Sequence, residues 1–133
     1  RLNVESEEAF SMYPMVRSAE PSTVFHAPER CKILERWNDG SDPRVSIAHA
    51  SVTPEVTTQL HSLLGVDERY LLFEERGVGL VGQMPHAGVK PGEVAVMPSG
   101  TPQKITNTGE TDLVFYCIFT PLFSGSHPSN EAR

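Results

Sequence analysis

The sequence has little of what several protein classes depend on. Two cysteines in 133 residues are too few for the disulfide framework of a small secreted domain. The longest apolar runs, such as Val114 to Ile118, fall far short of the ~20 residues of a membrane-spanning helix. The 11 Lys and Arg are scattered and outnumbered by 17 Asp and Glu, with a formal net charge of −6. We therefore expect neither a disulfide scaffold, nor a membrane protein, nor a nucleic-acid-binding protein.

The remaining composition is that of a folded protein. Hydrophobic residues make up 38% and charged residues 21%, and the length suits one domain with a real core. The chain does not open with a charged and then apolar leader, so we expect a cytoplasmic location. This expectation is provisional, because residue 1 is Arg rather than Met. Cys31 and Cys117 lie in strand-like sequence, which predicts free, buried thiols.

Short strand-like runs separated by turn residues are what the sequence does contain. Lys32 to Trp37 alternates and stops at Asn38-Asp39-Gly40, and the next run follows Asp42-Pro43, as in a hairpin. Turn residues recur about every ten positions, which is typical of an all-β sandwich or barrel. The runs are Cys31 to Trp37, Val45 to Val52, Thr57 to Leu60, Arg69 to Phe73, Val78 to Val81, Glu93 to Met97 and Leu113 to Phe119.

The domain organisation follows from where these runs lie. Residues 1–24 show no sustained period and are interpreted as an arm that packs on the barrel or reaches a neighbour. Residues 25–123 hold the barrel, and the polar residues 124–133 form a frayed tail. Gln83 to Val89 is interpreted as a loop.

Two stretches, Thr57 to Gly79 and Pro91 to Asn107, place polar residues where barrel strands should face inward. Each reads as strand, turn, strand. An inward polar side chain needs a partner, and a bound ion or ligand is one way to supply it.

The two stretches resemble the two cupin motifs, G-x5-H-x-H-x4-E-x6-G and G-x5-P-x-G-x2-H-x3-N. In the second motif only the His is replaced, by Gln103, and the other positions are in register: Gly92, Pro98, Gly100 and Asn107. The first motif has more substitutions. It keeps His61 and Glu68, has Leu63 at its second His, and has glutamates at its glycine positions, Glu55 and Glu75.

This resemblance implies an all-β fold, a cupin (double-stranded β-helix, jelly-roll-like) barrel with an N-terminal arm. It implies a divalent metal (Mn, Fe, Ni or Zn) held by His61, Glu68 and Gln103, with His49 and His26 as weaker candidates. It also implies a small-molecule ligand or substrate and a homodimer. The arm is a candidate for exchange between subunits, because its apolar residues would otherwise be half exposed: Phe10, Met12, Tyr13, Met15 and Val16.

Each candidate residue also has a purely structural interpretation. His61 could be a core or rim histidine, Glu68 could pair with Arg69 or Arg36, and Gln103 could be a hydrogen-bonding residue that replaced a ligand. Tyr70 is a weak catalytic candidate, as a proton donor on the pocket wall, and otherwise packs in the core. The others are expected in solvent or in turns: His86 and His127, and Gly100 and Asn107.

These alternatives leave two main functions open. The first is a metal-dependent enzyme, a dioxygenase, isomerase or decarboxylase, in which the ion polarises a substrate oxygen or binds dioxygen. The second is a metal-free, non-catalytic barrel that binds a small apolar or carboxylated ligand. A structural or partner-binding barrel would leave the inward polar residues unexplained.

Overall fold

The structure, a computed structural model, describes residues 12–19, 25–27, 30–82 and 87–124, and the side chains of 25–27 are outside the description. Every regular element in these ranges is a strand, which confirms the all-β prediction. The strands are β1 (Phe25–Ala27), β2 (Cys31–Trp37), β3 (Ser46–Val52), β4 (Asp67–Glu74), β5 (Gly77–Val81), β6 (Ala87–Val89), β7 (Val94–Met97), β8 (Gln103–Asn107) and β9 (Leu113–Thr120).

The strands form two antiparallel sheets around one interior. The larger has the order β1-β2-β3-β9-β4-β7 and the smaller the order β6-β5-β8. In β3 and β9 buried residues alternate with half-buried ones, because successive side chains point to opposite faces of a sheet. The inward faces meet in a shared core, in which Phe115 and Leu72 of the larger sheet and Ile105 of the smaller are almost completely buried.

Most predicted strands are confirmed to within two residues at each end, and Cys31–Trp37 agrees at both ends. Two predictions were wrong. Thr57 to Leu60 forms no strand, but only isolated bridges at Thr57 and at His61, which lies just beyond it. Ala87–Val89, predicted as loop, forms β6, a strand of three residues that contains Gly88 and is too short to show alternation.

The described part of the arm, residues 12–19, has no regular secondary structure and contacts its own barrel. The Arg17 guanidinium lies over the Trp37 ring, 5.3 Å from its centroid, and pairs with Asp39 at 3.6 Å. Arg17 thus connects the arm to the end of the β2–β3 hairpin. Residues 1–11 and most of the tail lie outside the described residues, so the arm and tail boundaries stay predictions. No helix in the described ranges is long and apolar enough to cross a membrane.

The motif positions for glycine adopt left-handed backbone conformations whichever residue occupies them. Gly92 and Gly100 have φ values of 89° and 85°. Glu55 and Glu75, at the two glycine positions of the first motif, have φ values of 70° and 66°. A non-glycine residue is strained in this region, because its Cβ crowds the backbone. The fold therefore keeps the motif's backbone geometry where the sequence departs from it.

Replacing these two glutamates with glycine should have different effects on stability. Glu55→Gly relieves left-handed strain at an exposed residue, and we expect the free energy of unfolding to rise by up to about 1 kcal/mol. Glu75→Gly relieves the same strain but removes a carboxylate that accepts from the Thr111 hydroxyl at 2.8 Å and from the backbone amides of Glu110 and Thr111. We therefore expect no gain at Glu75. Urea unfolding of both variants checks this, and equal gains would contradict it.

Candidate functional site

Polar side chains from both sheets meet inside the barrel. Glu68 and Tyr70 face inward from β4, and Gln103 faces inward from β8 in the other sheet. Only 4% of Glu68, 7% of Tyr70 and 2% of Gln103 is exposed. Buried polar groups are costly unless they are satisfied, so this interior is a candidate site.

Tyr70 and Gln103 are joined by a buried hydrogen bond. The Tyr70 hydroxyl donates to Oε1 of Gln103 at 2.5 Å, across the interior from one sheet to the other. The Tyr70 ring packs against Phe115, with 4.5 Å between centroids, and this contact helps to hold the phenol in place. The bond uses the carbonyl oxygen of Gln103, the atom of this side chain that could coordinate a metal.

A β-bulge brings His61 opposite Gln103. The backbone amide of Thr58 donates to the Ile105 carbonyl, whereas His61 and Gln103 exchange two backbone hydrogen bonds of 3.1 and 2.8 Å. Thr58 and His61 are three residues apart, whereas Ile105 and Gln103, the residues that they pair with, are two apart. The His61 segment therefore has one extra residue. Without the bulge Leu60, which is 41% exposed, would oppose Gln103. Directly opposed residues share a face, so His61 shares the inward face of Gln103.

The His61 ring has a defined tautomer. Its Nδ1 lies 2.8 Å from the Gln59 carbonyl oxygen. Since a carbonyl only accepts, Nδ1 carries the hydrogen and Nε2 is the basic nitrogen. Metal-binding histidines are commonly oriented by this kind of backbone contact.

The carboxyl group of Glu68 interacts with Cys117. Glu68 lies opposite Met97 of β7 and Phe119 of β9, next to the inward side chain of Cys117. Burial, and then the charge of the Glu68 carboxylate, raises the pKa of the Cys117 thiol well above its usual range. Cys117 is therefore a protonated, unreactive thiol at neutral pH. Both thiols are buried and neither forms a disulfide, as predicted.

Solved structures share this architecture. A predicted oxalate decarboxylase from Thermotoga maritima aligns with a TM-score of 0.67 and 22% identity, over 82% of this chain and 100% of the other. A cupin 2 conserved barrel domain protein from Salinispora arenicola gives 0.67 and 12%, over 82% and 90%. The Schizosaccharomyces pombe Cnp3 cupin domain gives 0.63 and 12%, over 69% of this chain and 65% of that chain. The chain has the cupin fold. No protein-family model and no curated protein matches the sequence.

The donor set of this barrel fits a three-ligand metal centre poorly. The described residues contain no group of three or more His, Cys, Asp or Glu side chains placed to hold a metal ion. Leu63, at the second motif His, is buried in the apolar core. His61 and Glu68 supply one imidazole and one carboxylate, and the Gln103 oxygen already accepts from Tyr70. Metal binding by His61, Glu68 and Gln103 stays a prediction.

His49, one of the two weaker histidine candidates, does not add a ligand to this site. His49 occupies an outward position of β3, where its ring contacts Tyr116 at 5.3 Å, and partial burial lowers its pKa. The sheet separates His49 from the barrel interior, because its neighbours Ala48 and Ala50 face inward. The backbone of His26 lies in β1, but its side chain is outside the described residues, as are His86 and His127.

A small cavity adjoins the hydrogen-bonded pair Tyr70 and Gln103. Its volume is about 20 Å³, enough for about one water molecule. Its lining includes Tyr70, Met97 and Gln103, and also the small residues Gly79, Ala87 and Ala95. The sequence indicated Gln103 through the motif and Tyr70 through strand alternation. It did not indicate their mutual bond, because that bond depends on how the two sheets pack.

Asn107 has a structural role that the turn interpretation missed. Its side chain is fully buried and contacts three backbone groups. Nδ2 donates to the carbonyls of Val52 and Thr111, both at 2.8 Å, and Oδ1 accepts from the Gly109 amide at 2.8 Å. Asn107 thus ties the end of β3 to the turn before β9.

Proposed function

We propose that this cupin binds a small organic molecule inside its barrel, and that the Gln103 amide orients the ligand. The observation that carries the proposal is the Tyr70–Gln103 hydrogen bond on the wall of the interior cavity. Ligand sites are mostly apolar, with a few polar groups in fixed positions. Here Gln103 is such a group, because Tyr70 holds its amide in one orientation.

The orientation of the amide defines the chemistry of recognition. With Oε1 accepting from Tyr70, Gln103 presents its Nε2 hydrogens as donors. A ligand oxygen that accepts from Nε2 would complete a chain from Tyr70 through Gln103 to the ligand. Hydrogen bonds in such buried chains strengthen one another.

The second candidate function is a metal-dependent enzyme. It is favoured by the contact of Nδ1 of His61 with the Gln59 carbonyl, which leaves Nε2 as a ligating atom. His61, Glu68 and Gln103 would hold Mn, Fe, Ni or Zn, with Gln103 using the second lone pair of the carbonyl oxygen that accepts from Tyr70. Such an ion, when bound, would polarise a substrate oxygen or bind dioxygen. A dioxygenase, isomerase or decarboxylase activity belongs to this candidate and rests on fold analogy.

Elemental analysis separates the two candidates. The protein is purified without a metal-affinity tag, together with His61→Ala and the matched control His49→Ala, whose histidine lies on the outer face. We expect less than about 0.1 equivalent of Mn, Fe, Ni or Zn in the purified protein. An ion that bound the native state would raise its melting temperature, so we also expect no rise when these ions are added.

Near-stoichiometric metal in the wild type that is lost in His61→Ala and retained in His49→Ala would contradict the metal-free proposal. It would establish the second candidate and justify assays of oxygen uptake.

Homodimerisation and a cytoplasmic location stay predictions from the resemblance and the composition.

A further inference from the structure

The larger sheet is apolar on its outer face as well as on the face that forms the core. In β9 the outward residues Val114, Tyr116 and Ile118 alternate with the buried ones, so the strand is apolar on both sides. An antiparallel strand with one face in water normally alternates apolar and polar side chains, whereas a continuous apolar run is typical of a strand covered on both faces. The composition of β9 therefore indicates that something covers the outer face.

Two mostly apolar rows cross this outer face, because directly paired residues of neighbouring strands lie side by side. The first row runs from β2 through β3, β9 and β4 to β7 and contains Leu34, His49, Tyr116, Leu71 and Val94. The second row crosses the same strands in the same order and contains Trp37, Ile47, Ile118, Arg69 and Val96. We call these ten residues the outer patch.

The outer patch is open to solvent in a single copy of the chain. Val94 and Val96 are each 53% exposed, and Phe73, which borders the patch, is 58% exposed. The Phe73 ring lies 6.0 Å from that of Tyr116, so it extends the same surface. Contiguous exposed apolar surface on a protein in water marks an interaction site.

The outer patch is also almost uncharged. Arg69 is its one charged residue, and the guanidinium is already engaged, since it donates to the Thr120 hydroxyl at 2.8 Å. Partial burial, and then the charge of Arg36, lowers the pKa of His49, so this imidazole is neutral at pH 7. In a two-fold interface the same patch of both subunits meets, and a charged patch would bring like charges together. An uncharged patch can face a copy of itself.

The area of this face is sufficient for a stable dimer. Five strands spaced about 4.8 Å apart, most of them seven or eight residues long, cover roughly 500 Å². Two copies would therefore bury about 1,000 Å², which is the lower limit for a specific interface. The arm lies next to Trp37 at one edge of the patch and adds exposed apolar side chains there: Met12, Tyr13, Met15 and Val16.

We infer that this chain forms a two-fold symmetric dimer through the outer patch, with the patch of a second copy as its cover. The homodimer that the resemblance implies is thereby given a surface. The arm of each subunit lies at the edge of the interface, beside Trp37. This inference does not depend on the proposed binding at Gln103, because the outer patch and the barrel interior are on opposite faces of the sheet.

The test is sedimentation velocity of the full chain at micromolar concentrations and pH 7. The wild type should sediment as a species of twice the 14.6 kDa mass of the chain. Val94→Glu should raise the dissociation constant of the dimer at least about tenfold, because symmetry places two unpaired carboxylates in an apolar interface. Circular dichroism checks that the variant is folded. Phe73→Glu serves if it is not, and should weaken the dimer in the same direction.

Val78→Glu is the matched control. Val78 lies on the outer side of β5 in the smaller sheet, between the buried residues Gly77 and Gly79. The substitution changes charge and strand preference as Val94→Glu does, but away from the outer patch, so the dissociation constant should stay within about twofold of the wild-type value.

Three results would overturn the inference. A wild-type protein that is monomeric at every concentration would show that no second copy covers the patch. A dimer that Val94→Glu leaves intact would show that another surface joins the subunits. Equal weakening by Val94→Glu and Val78→Glu would show that net charge, and not the outer patch, controls association.

Discussion

Asn107→Ala is expected to lower the free energy of unfolding by about 3–4 kcal/mol, because it leaves three backbone groups without the partner that Asn107 supplies. These groups are the carbonyls of Val52 and Thr111 and the amide of Gly109. Each buried group that loses its partner costs about 1–3 kcal/mol, less where water can reach it. Urea unfolding, followed by tryptophan fluorescence and by circular dichroism, measures the change.

The control for this variant is Asn38→Ala. Asn38 is exposed, and its Nδ2 donates to the Phe123 carbonyl at 2.7 Å. We expect a loss of less than about 1 kcal/mol, because water replaces this partner. If Asn107→Ala and Asn38→Ala lowered the free energy of unfolding by similar amounts, Asn107 would not be what connects the end of β3 to the turn before β9. Asn107→Asp should also be destabilising, since a carboxylate cannot donate to two carbonyls.

The second large effect is expected from the pair Tyr70 and Gln103, where stability and binding should separate. Gln103→Leu leaves the buried Tyr70 hydroxyl without its acceptor and should cost about 1–3 kcal/mol. Tyr70→Phe should cost a similar amount by leaving Oε1 without its donor. The double variant removes both polar groups and should recover most of the loss, because replacing both partners with apolar groups is nearly neutral.

Binding should not recover with stability. The double variant lacks the Gln103 amide, so its affinity for a small carbonyl compound should fall at least about tenfold even though the barrel is restored. Calorimetry for stability and NMR titration for binding measure the two properties on the same samples. A stable double variant that binds the small carbonyl compound as tightly as the wild type would disprove the role of Gln103. Additive losses in stability would disprove the buried Tyr70–Gln103 bond.

The positions of the motif residues were predictable because they depend on local backbone geometry. Gly92 and Gly100 were identified by spacing, and both have the positive φ that their turns need. The same spacing put Glu55 and Glu75 at the glycine positions of the first motif, and the structure shows that both are left-handed although this conformation does not favour glutamate. A pattern of turns thus identified the cupin fold, although the three solved structures named above are only 12–22% identical to this chain.

The arrangement of the site was less predictable, because it depends on contacts between distant segments. His61 lies opposite Gln103 because its segment, with one extra residue relative to β8, pairs with that strand through two backbone hydrogen bonds. The sequence offered His49 as a further metal ligand, but buried and half-buried residues alternate along β3, and this alternation places His49 on the outer face. The side chain at position 103 could be assigned as polar and inward, but its partner is Tyr70, which lies 33 residues away.

The sequence by itself determined the alternation of buried and exposed residues, the turn positions and the inward placement of Glu68 and Gln103. These follow from periodicity and from local backbone preferences, which act over a few residues. The tertiary structure decided which inward groups meet. It joined Tyr70 to Gln103, set Glu68 beside Cys117 and left a cavity of about 20 Å³ at Gly79. Those outcomes depend on how two sheets stack and on their registers, and no short stretch of sequence encodes either.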